Sequence, residues 1–147
     1  MPNIRNNVER WLIHENFKFS EIQNEENNFH IEIKHSGAFD TSIEIFQPKK
    51  QASVLVLGGK IPLRNNQNAR YLNLNDMEKA NFEKKVGDFC YSIHAIHKFL
   101  EENGKKIIGV YVVIEDETKF NQQDFANAIQ QVTEMSEKTT QYLMKTF

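Results

Sequence analysis

The chain has few of the residues that mark specialised protein classes. Its 147 residues include one cysteine, three prolines and one tryptophan. A single cysteine excludes an intramolecular disulfide and fits a reducing compartment. No apolar run reaches the roughly 18–20 residues that a membrane-spanning helix needs. The N-terminal segment MPNIRNNVERWL also lacks the continuous apolar stretch of a signal peptide. We therefore expect a cytoplasmic protein without membrane contact.

The sequence also lacks an excess of charge of one sign. Lys and Arg number 18 against 20 Asp and Glu, giving a formal net charge of −2. Nucleic-acid binders usually concentrate a basic field on one face, whereas basic residues here are scattered among acidic ones. Nucleic-acid binding is not expected, and the small cluster Lys49-Lys50 is interpreted as a solvated hairpin turn.

What the sequence does have is enough apolar residues for one core. The hydrophobic share is 39% and includes 11 Phe. A chain of this length typically forms one domain and buries about two-thirds of its surface. We expect a single domain over residues 1–147.

The first half of the chain predicts one helix followed by three strands. Apolar residues recur at helical spacing up to Asn16, which can adopt the left-handed conformation that closes a helix. The period then changes to two in FHIEIK (29–34) and SIEIF (42–46). SVLVLGG (53–59) is continuously apolar, as in a strand covered on both faces. Short connections predict an antiparallel meander, with Gly58-Gly59 as the turn or frayed end of the third strand.

The second half predicts a long helix, a strand and a final helix. Residues 60–73 are interpreted as an irregular loop with a short turn of helix. Asn75 and Glu78 form a capping-box pair, and the helix runs to about Asn103, where Gly104 stops it. KKIIGVYVVIEDE (105–117) is one strand, and Asn121 caps a final helix. The predicted buried face of this final helix consists of Phe125, Ile129, Val132, Ser136 and Leu143.

The element order is therefore α-β-β-β-α-β-α. It predicts an α+β domain with helices packed on a four-stranded antiparallel sheet.

The segment FCYSIHAIHKFLEE (89–102) contains the candidates for a metal or thiol site. On a continuous helix, Cys90 and His97 border the apolar face and His94 lies further out. Cys90 to Glu101 spans about 16 Å along a helix axis, so one ion cannot use all four potential ligands of this stretch. An adjacent pair such as Cys90 and His94 would need a further ligand, for which His30 and His35 are available.

The nucleophile interpretation pairs Cys90 with His94 as its base, but no oxyanion hole or third orienting group is marked. We interpret the segment as an ordinary amphipathic helix and predict no catalytic, cofactor or metal site. Two alternatives stay open. One is a metal- or thiol-dependent enzyme using Cys90, His94 and His97, and the other is a small-ligand carrier with an apolar cavity between the sheet and the final helix. The acidic run Glu115–Glu117 is interpreted as a solvated strand end.

A set of polar and aromatic residues suggests a surface that binds protein. In FHIEIK, the side chains of His30, Glu32 and Lys34 share the solvent-facing side of a strand, and Phe46 and Tyr111 are expected on or near that surface. Trp11 is either a core residue or an anchor for a partner.

The chain resembles the type III secretion chaperone-like fold, which is shared with the YbjN-like proteins, and more specifically an uncharacterised archaeal family of this length. The resemblance is carried by VERWLIHEN, FHIEI, SIEIF, SVLVL and the long helix with Phe82 and Phe89. It implies a small cytoplasmic protein, often dimeric, that binds other polypeptides, and it brings no catalytic residues. The sequence differs from the chaperones in its near-neutral charge, in Asn16 where Gly is expected, and in one predicted strand after Gly104 where they have two. We expect a non-enzymatic, chaperone-like homodimer with an unidentified protein partner and no cofactor.

Overall fold

The structure, a computed structural model, describes residues 4–36, 41–51, 53–115 and 120–147. These residues form helices α1 Ile4–His14, α2 Asn65–Leu72, α3 Asp76–Ser92 and α4 Gln122–Thr146, and a 3-10 turn at Lys49–Gln51. The strands are β1 Phe19–Glu21, β2 Asn27–Ser36, β3 Thr41–Pro48, β4 Leu55–Pro62, β5 Ile96–Glu102 and β6 Lys105–Ile114.

The strands form one antiparallel sheet in the order β1-β2-β3-β4-β6-β5. The predicted α+β class and antiparallel sheet are confirmed, but the prediction of four strands is wrong, because the sheet has six. The two additional strands, β1 and β5, lie at opposite edges. The predicted element order lacked both of them.

Strand β5 occupies residues that were predicted to continue a helix. The capping box at Asn75 and Glu78 is confirmed, but α3 ends at Ser92 rather than near Asn103. His94 then adopts a left-handed conformation with φ of 58°, and the chain turns into β5. Gly104 is left-handed, as expected of a helix stop. However, Gly104 does not end a helix. It forms a two-residue hairpin turn with Asn103 between β5 and β6, and both residues have positive φ angles.

The ends of the other helices follow their sequence signals. Helix α1 ends at His14, and Asn16 has a φ of 63°, so the prediction of a left-handed Asn16 is confirmed. Asn121 accepts a hydrogen bond from the Asp124 backbone N–H at 2.9 Å at the start of α4. All five residues predicted for the inner face of α4 are buried. Lys49 and Lys50 are exposed in the turn between β3 and β4.

Alternation along the strands gives the sheet two different faces. The helix face is covered by helices and carries the buried core, whose strand residues include Ile31, Ile33, Ile43, Ile45, Leu55, Leu57, Ile108 and Val110. The open face carries the side chains that alternate with these. They include His30, Glu32, Lys34, Ser42, Glu44, Phe46, Val56, Lys60, Ile96, Lys98, Leu100, Glu102, Ile107, Tyr111 and Val113.

The described helices all pack on the helix face. Trp11 of α1 lies with its ring centroid 5.3 Å from that of Phe125 in α4. Gly87 of α3 lies against the imidazole of His97, and Gln67 of α2 donates a hydrogen bond to the Leu143 carbonyl of α4. Within the described ranges, no helix covers the open face.

Helix α4 comes close to the sheet at Gly59. A Cβ atom there would lie 2.0 Å from the Oγ of Ser136, a fully buried residue whose hydroxyl donates to the Val132 carbonyl. Gly58 and Gly59 pair with β3 and β6 in the middle of β4. The prediction that they form a turn or a frayed strand end is therefore wrong, and Gly59 is required for close packing.

Candidate functional site: the open face of the sheet

The open face brings together five of the six residues that the sequence suggested for protein binding. His30, Glu32 and Lys34 lie on β2, and the register places Phe46 of β3 and Tyr111 of β6 on the same side of the sheet. Trp11 does not belong to this surface. Only 6% of it is exposed and it packs on the helix face, so the structure places it in the core rather than among exposed anchors.

Two glycines allow Tyr111 to lie flat on the open face. A Cβ atom at Gly58 would be 2.7 Å from the Tyr111 ring, and one at Gly109 would be 2.5 Å from its hydroxyl oxygen. The ring therefore occupies the space that two side chains would otherwise fill. Burial raises the pKa of Tyr111, and the nearby Glu44 carboxylate adds to this rise.

Four charged or polar side chains form a row across the open face, which we call the charge row: His30, Glu44, Lys60 and Glu102. Glu44 Oε1 lies 3.3 Å from His30 Nε2 and 3.3 Å from Lys60 Nζ. Lys60 Nζ in turn lies 2.7 Å from Glu102 Oε1. Lys60 on β4 thus contacts Glu102 on β5, on the far side of the intervening strand β6.

His30 is the most enclosed member of the charge row together with Glu44, and each is only 8% exposed. The amide nitrogen of Asn27 lies 3.1 Å from Nδ1 of His30. An imidazole that accepts a hydrogen bond at Nδ1 carries its proton on Nε2, facing Glu44. The Nε2 to Glu44 contact is close but not aligned for a full hydrogen bond. The ring also packs on Phe46, with centroids 5.2 Å apart.

The pKa shifts indicate that the charges of the row stabilise one another. Burial alone would raise the pKa of Glu44, but contact with His30 and the Lys60 ammonium hold this pKa below its ordinary value. Burial likewise opposes the charge on Lys60, yet the carboxylates of Glu102 and Glu44 raise its pKa. Glu44 and Lys60 are therefore both ionised at neutral pH, and most of their charge is neutralised within the chain.

Apolar side chains adjoin the charge row. Phe46, Val56 and Val113 stand directly opposite one another on β3, β4 and β6, and we call them the apolar row. Ile96, beside Tyr111 on β5, is 57% exposed. Apolar side chains flanked by polar groups are typical of protein interfaces.

The three metal or thiol candidates lie in three different settings. Cys90 is buried on α3, His94 is exposed in the turn, and His97 lies on β5 with its ring edge-on to Phe99 at 5.5 Å. Since α3 ends at Ser92, the helical spacing assumed for Cys90 and His94 is wrong. The described residues contain no group of three His, Cys, Asp or Glu arranged to hold a metal ion.

The environment of Cys90 does not favour a thiolate. Burial raises the pKa of its thiol, although a hydrogen bond with Thr139 acts in the opposite direction. A nucleophilic cysteine requires a lowered pKa. The other residues considered at these sites are partly outside the described part of the structure: Glu115 is exposed at the end of β6, while Asp116, Glu117 and the side chain of His35 are not described.

A cleft of about 300 Å³ lies where β4, α2 and the end of α4 meet. Gln67, which lines it, is buried, donates to the Leu143 carbonyl and accepts from the Arg64 backbone N–H. Its polar groups are thus already paired within the protein. The cleft offers no further support for the small-ligand carrier.

Sequence reasoning did not identify Glu44, Lys60 and Glu102 as members of the site. A signal for Glu44 was present, because SIEIF alternates and places Glu44 on the same side as Phe46. Glu102 could not be placed on the sheet while residues 96–102 were taken as helix. Pairing of Lys60 with both carboxylates depends on the strand order, which the sequence does not state.

Comparison with known proteins identifies the family and a similar structure. The model of a family described as uncharacterized conserved protein (DUF2299) matches residues 4–143, and the chain belongs to this family. A crystal structure of an uncharacterized protein from Methanothermobacter thermautotrophicus is similar, with a TM-score of 0.76 and 16% sequence identity. The match covers 98% of this chain and 99% of that one, which shows that the two share a fold. No curated protein matches the chain. None of the described helices is long and apolar enough to cross a membrane.

Proposed function

We propose that this member of the DUF2299 family is a non-enzymatic protein-binding domain that forms a homodimer through its open face. The observation that carries the proposal is a six-stranded sheet whose helices, in the described ranges, cover only one side. Residues 55–59, the first five of β4, are continuously apolar, a pattern of strands covered on both faces. A second copy of the chain supplies the cover that the open face lacks.

The size of the open face supports a second copy of the chain as the partner that covers it. Six strands about 4.8 Å apart, with about seven residues of about 3.4 Å each, cover about 650 Å². Stable protein interfaces bury about 800 Å² per partner. Two such faces packed as a β-sandwich, about 10 Å apart, therefore approach the area that a stable dimer needs.

The charges of the open face also favour a second copy. The central carboxylate and ammonium, Glu44 and Lys60, are paired within the chain. The remaining charged side chains of the face are partly or fully exposed and include both signs, such as Glu32 and Lys34. Two identical faces can therefore pack together without net electrostatic repulsion. A strongly basic or acidic partner would meet no patch of opposite charge on this face.

The fold resemblance adds to the proposal. The secretion chaperones have two strands after the penultimate helix, and this chain has β5 and β6 there. The chaperone-like fold, and the binding of other polypeptides by the dimer, are parts of what we propose. A metal- or thiol-dependent enzyme finds no support in the arrangement of Cys90, His94 and His97.

The experiment is a mass measurement by light scattering during size exclusion at tens of micromolar. We expect the wild type to have twice the chain mass of 17.2 kDa. Phe46→Glu places an unpaired charge in the apolar row and should give a monomer. Asn81→Glu, an exposed position on α3, is the matched control and should stay dimeric.

Circular dichroism on both variants checks that the fold is kept. A wild-type monomer at these concentrations would refute the homodimer. A dimer that survives Phe46→Glu would refute the open face as its interface.

A further inference from the structure

A second surface lies at the free edge of β5. Among the described strands it is the last of the sheet and pairs with β6 alone. Glu102 and Lys105 flank the two-residue turn, and residues in that position exchange both of their backbone hydrogen bonds. Counting back from this pair, alternation directs the backbone N–H and C=O groups of His97, Phe99 and Glu101 away from β6. These groups form an unpaired edge.

The side chains along this edge form an apolar-basic-apolar pattern. Ile96, Lys98 and Leu100 follow one another on the open-face side of β5, and Ile96 is 57% exposed. Lys98 is exposed, and none of the described side chains forms an ion pair with it. The edge thus presents an unpaired cation between two apolar residues.

A second copy of β5 does not match this pattern. Antiparallel pairing about the midpoint Phe99 sets Lys98 opposite Leu100 of the second copy, and Ile96 opposite Glu102. Pairing about Lys98 sets two ammonium groups directly opposite, which is destabilising. Pairing about Leu100 sets Lys98 opposite Glu102 of the second copy, but that carboxylate is already paired with Lys60 Nζ at 2.7 Å. Lysine in the middle of an edge strand disfavours pairing between copies in this way.

We infer that the free edge of β5 binds an extended segment of a different polypeptide by addition of an antiparallel strand. The segment carries an acidic side chain opposite Lys98 and apolar side chains opposite Ile96 and Leu100, and so has the pattern apolar-x-acidic-x-apolar. Backbone hydrogen bonds to His97, Phe99 and Glu101 hold it, and the cross-strand side chains select it. The segment lies beside the sheet rather than over the open face, so this inference does not require the homodimer.

The first arm of the experiment tests the charge. A fluorescein-labelled peptide with Val-Thr-Glu-Thr-Val at its centre is titrated with the protein and followed by fluorescence anisotropy. We expect saturable binding that Lys98→Glu weakens roughly fivefold to tenfold. A peptide with Lys in place of Glu should in turn bind Lys98→Glu better than the wild type. Lys138→Glu, an exposed position on α4, is the control and should bind the first peptide normally.

The second arm tests the backbone hydrogen bonds. In the added strand, the two Thr N–H groups face β5 and the Glu N–H faces away. N-methylation of either Thr should weaken binding about tenfold, and N-methylation of Glu should have little effect. Three results would each overturn the inference: the absence of saturable binding, equal binding of the three methylated peptides, or a Lys-containing peptide that binds Lys98→Glu no better than it binds the wild type. Phe46→Glu should still bind the peptide, so failure of the dimer and failure of the edge site give different results.

Discussion

The two faces of the sheet differ most clearly in β4, where neighbouring residues have different surroundings. Leu57 is fully buried under the helices, whereas Val56 points to the open face and is only partly buried. Gly59 receives Ser136 of α4, and Gly58 receives the ring of Tyr111. The same types of residue therefore serve a packed core on one side and a flat, partly exposed surface on the other. An apolar run in a strand indicates that both faces of the strand are apolar. It does not indicate whether each face is covered by helices or by another chain.

The largest expected contrast is between truncations on the two faces. Leu57→Ala removes fully buried methyl groups and should lower the free energy of unfolding by about 3 kcal/mol. Val56→Ala removes partly exposed groups and should lower it by less than about 1 kcal/mol. Urea unfolding of both variants, at concentrations where the chain is monomeric, measures the difference. Equal losses would mean that the open face is covered within a single chain.

A smaller contrast is expected between the two adjacent glycines. Gly59→Ala places a methyl group against Ser136 and should cost about 2 kcal/mol, because the close approach of α4 leaves no room. Gly58→Ala should cost less than about 1 kcal/mol, since the Tyr111 ring can turn into solvent. Thermal unfolding of the single variants, at concentrations where the chain is monomeric, gives both values.

The double variant Gly59→Ala with Ser136→Gly is the control for this mechanism. Removing the Ser136 side chain makes space for the new methyl group, so the double variant should regain much of the loss. A double variant no more stable than the sum of the two changes would show that α4 does not cause the strain.

The smallest expected effect concerns the charge row and depends on pH. Because the folded-state pKa of Glu44 lies below its ordinary value of 4.5, this carboxylate stabilises the fold above that pH. The contribution is lost as pH falls through the folded-state value. Glu44→Gln should therefore lower stability by about 1 kcal/mol or less at pH 7, and the difference from wild type should shrink below pH 4.5.

Denaturant unfolding at a series of pH values provides this test, with Glu32→Gln as the control on the same face. Glu32→Gln should lower the free energy of unfolding at pH 7 by less than Glu44→Gln does, because Glu32 is less buried. If the difference in free energy of unfolding between wild type and Glu44→Gln stays constant down to pH 3, the role assigned to the charge row is contradicted.

The sequence predicted the class of fold, the meander and the helix caps, because these depend on local patterns. It missed β5 because apolar residues in 89–100 fit a helical period and no Gly or Pro marks the end of α3. The break occurs at His94, which takes a left-handed conformation that non-glycine residues adopt uncommonly. A signal for the hairpin was present in Asn103-Gly104, the pair most typical of two-residue turns. Strand β1 has only three residues, too few for a visible period.

The site was predictable only in part for a similar reason. Alternation within β2 was enough to place His30, Glu32 and Lys34 on one face. Contacts between Glu44, Lys60 and Glu102 depend on which strands are neighbours, and β4 pairs with β6 rather than with the next strand along the chain. Such long-range pairing is set by packing of the whole sheet.

The position of Trp11 has a practical consequence for spectroscopy. It is the only tryptophan of the chain, and its indole packs against Phe125 on the helix side. Its emission spectrum therefore follows the docking of α1 on α4. A ligand on the far side of the sheet or at its margin should leave this emission unchanged, while denaturation should shift it to longer wavelengths. One intrinsic fluorophore thus distinguishes association from loss of the native state in every titration.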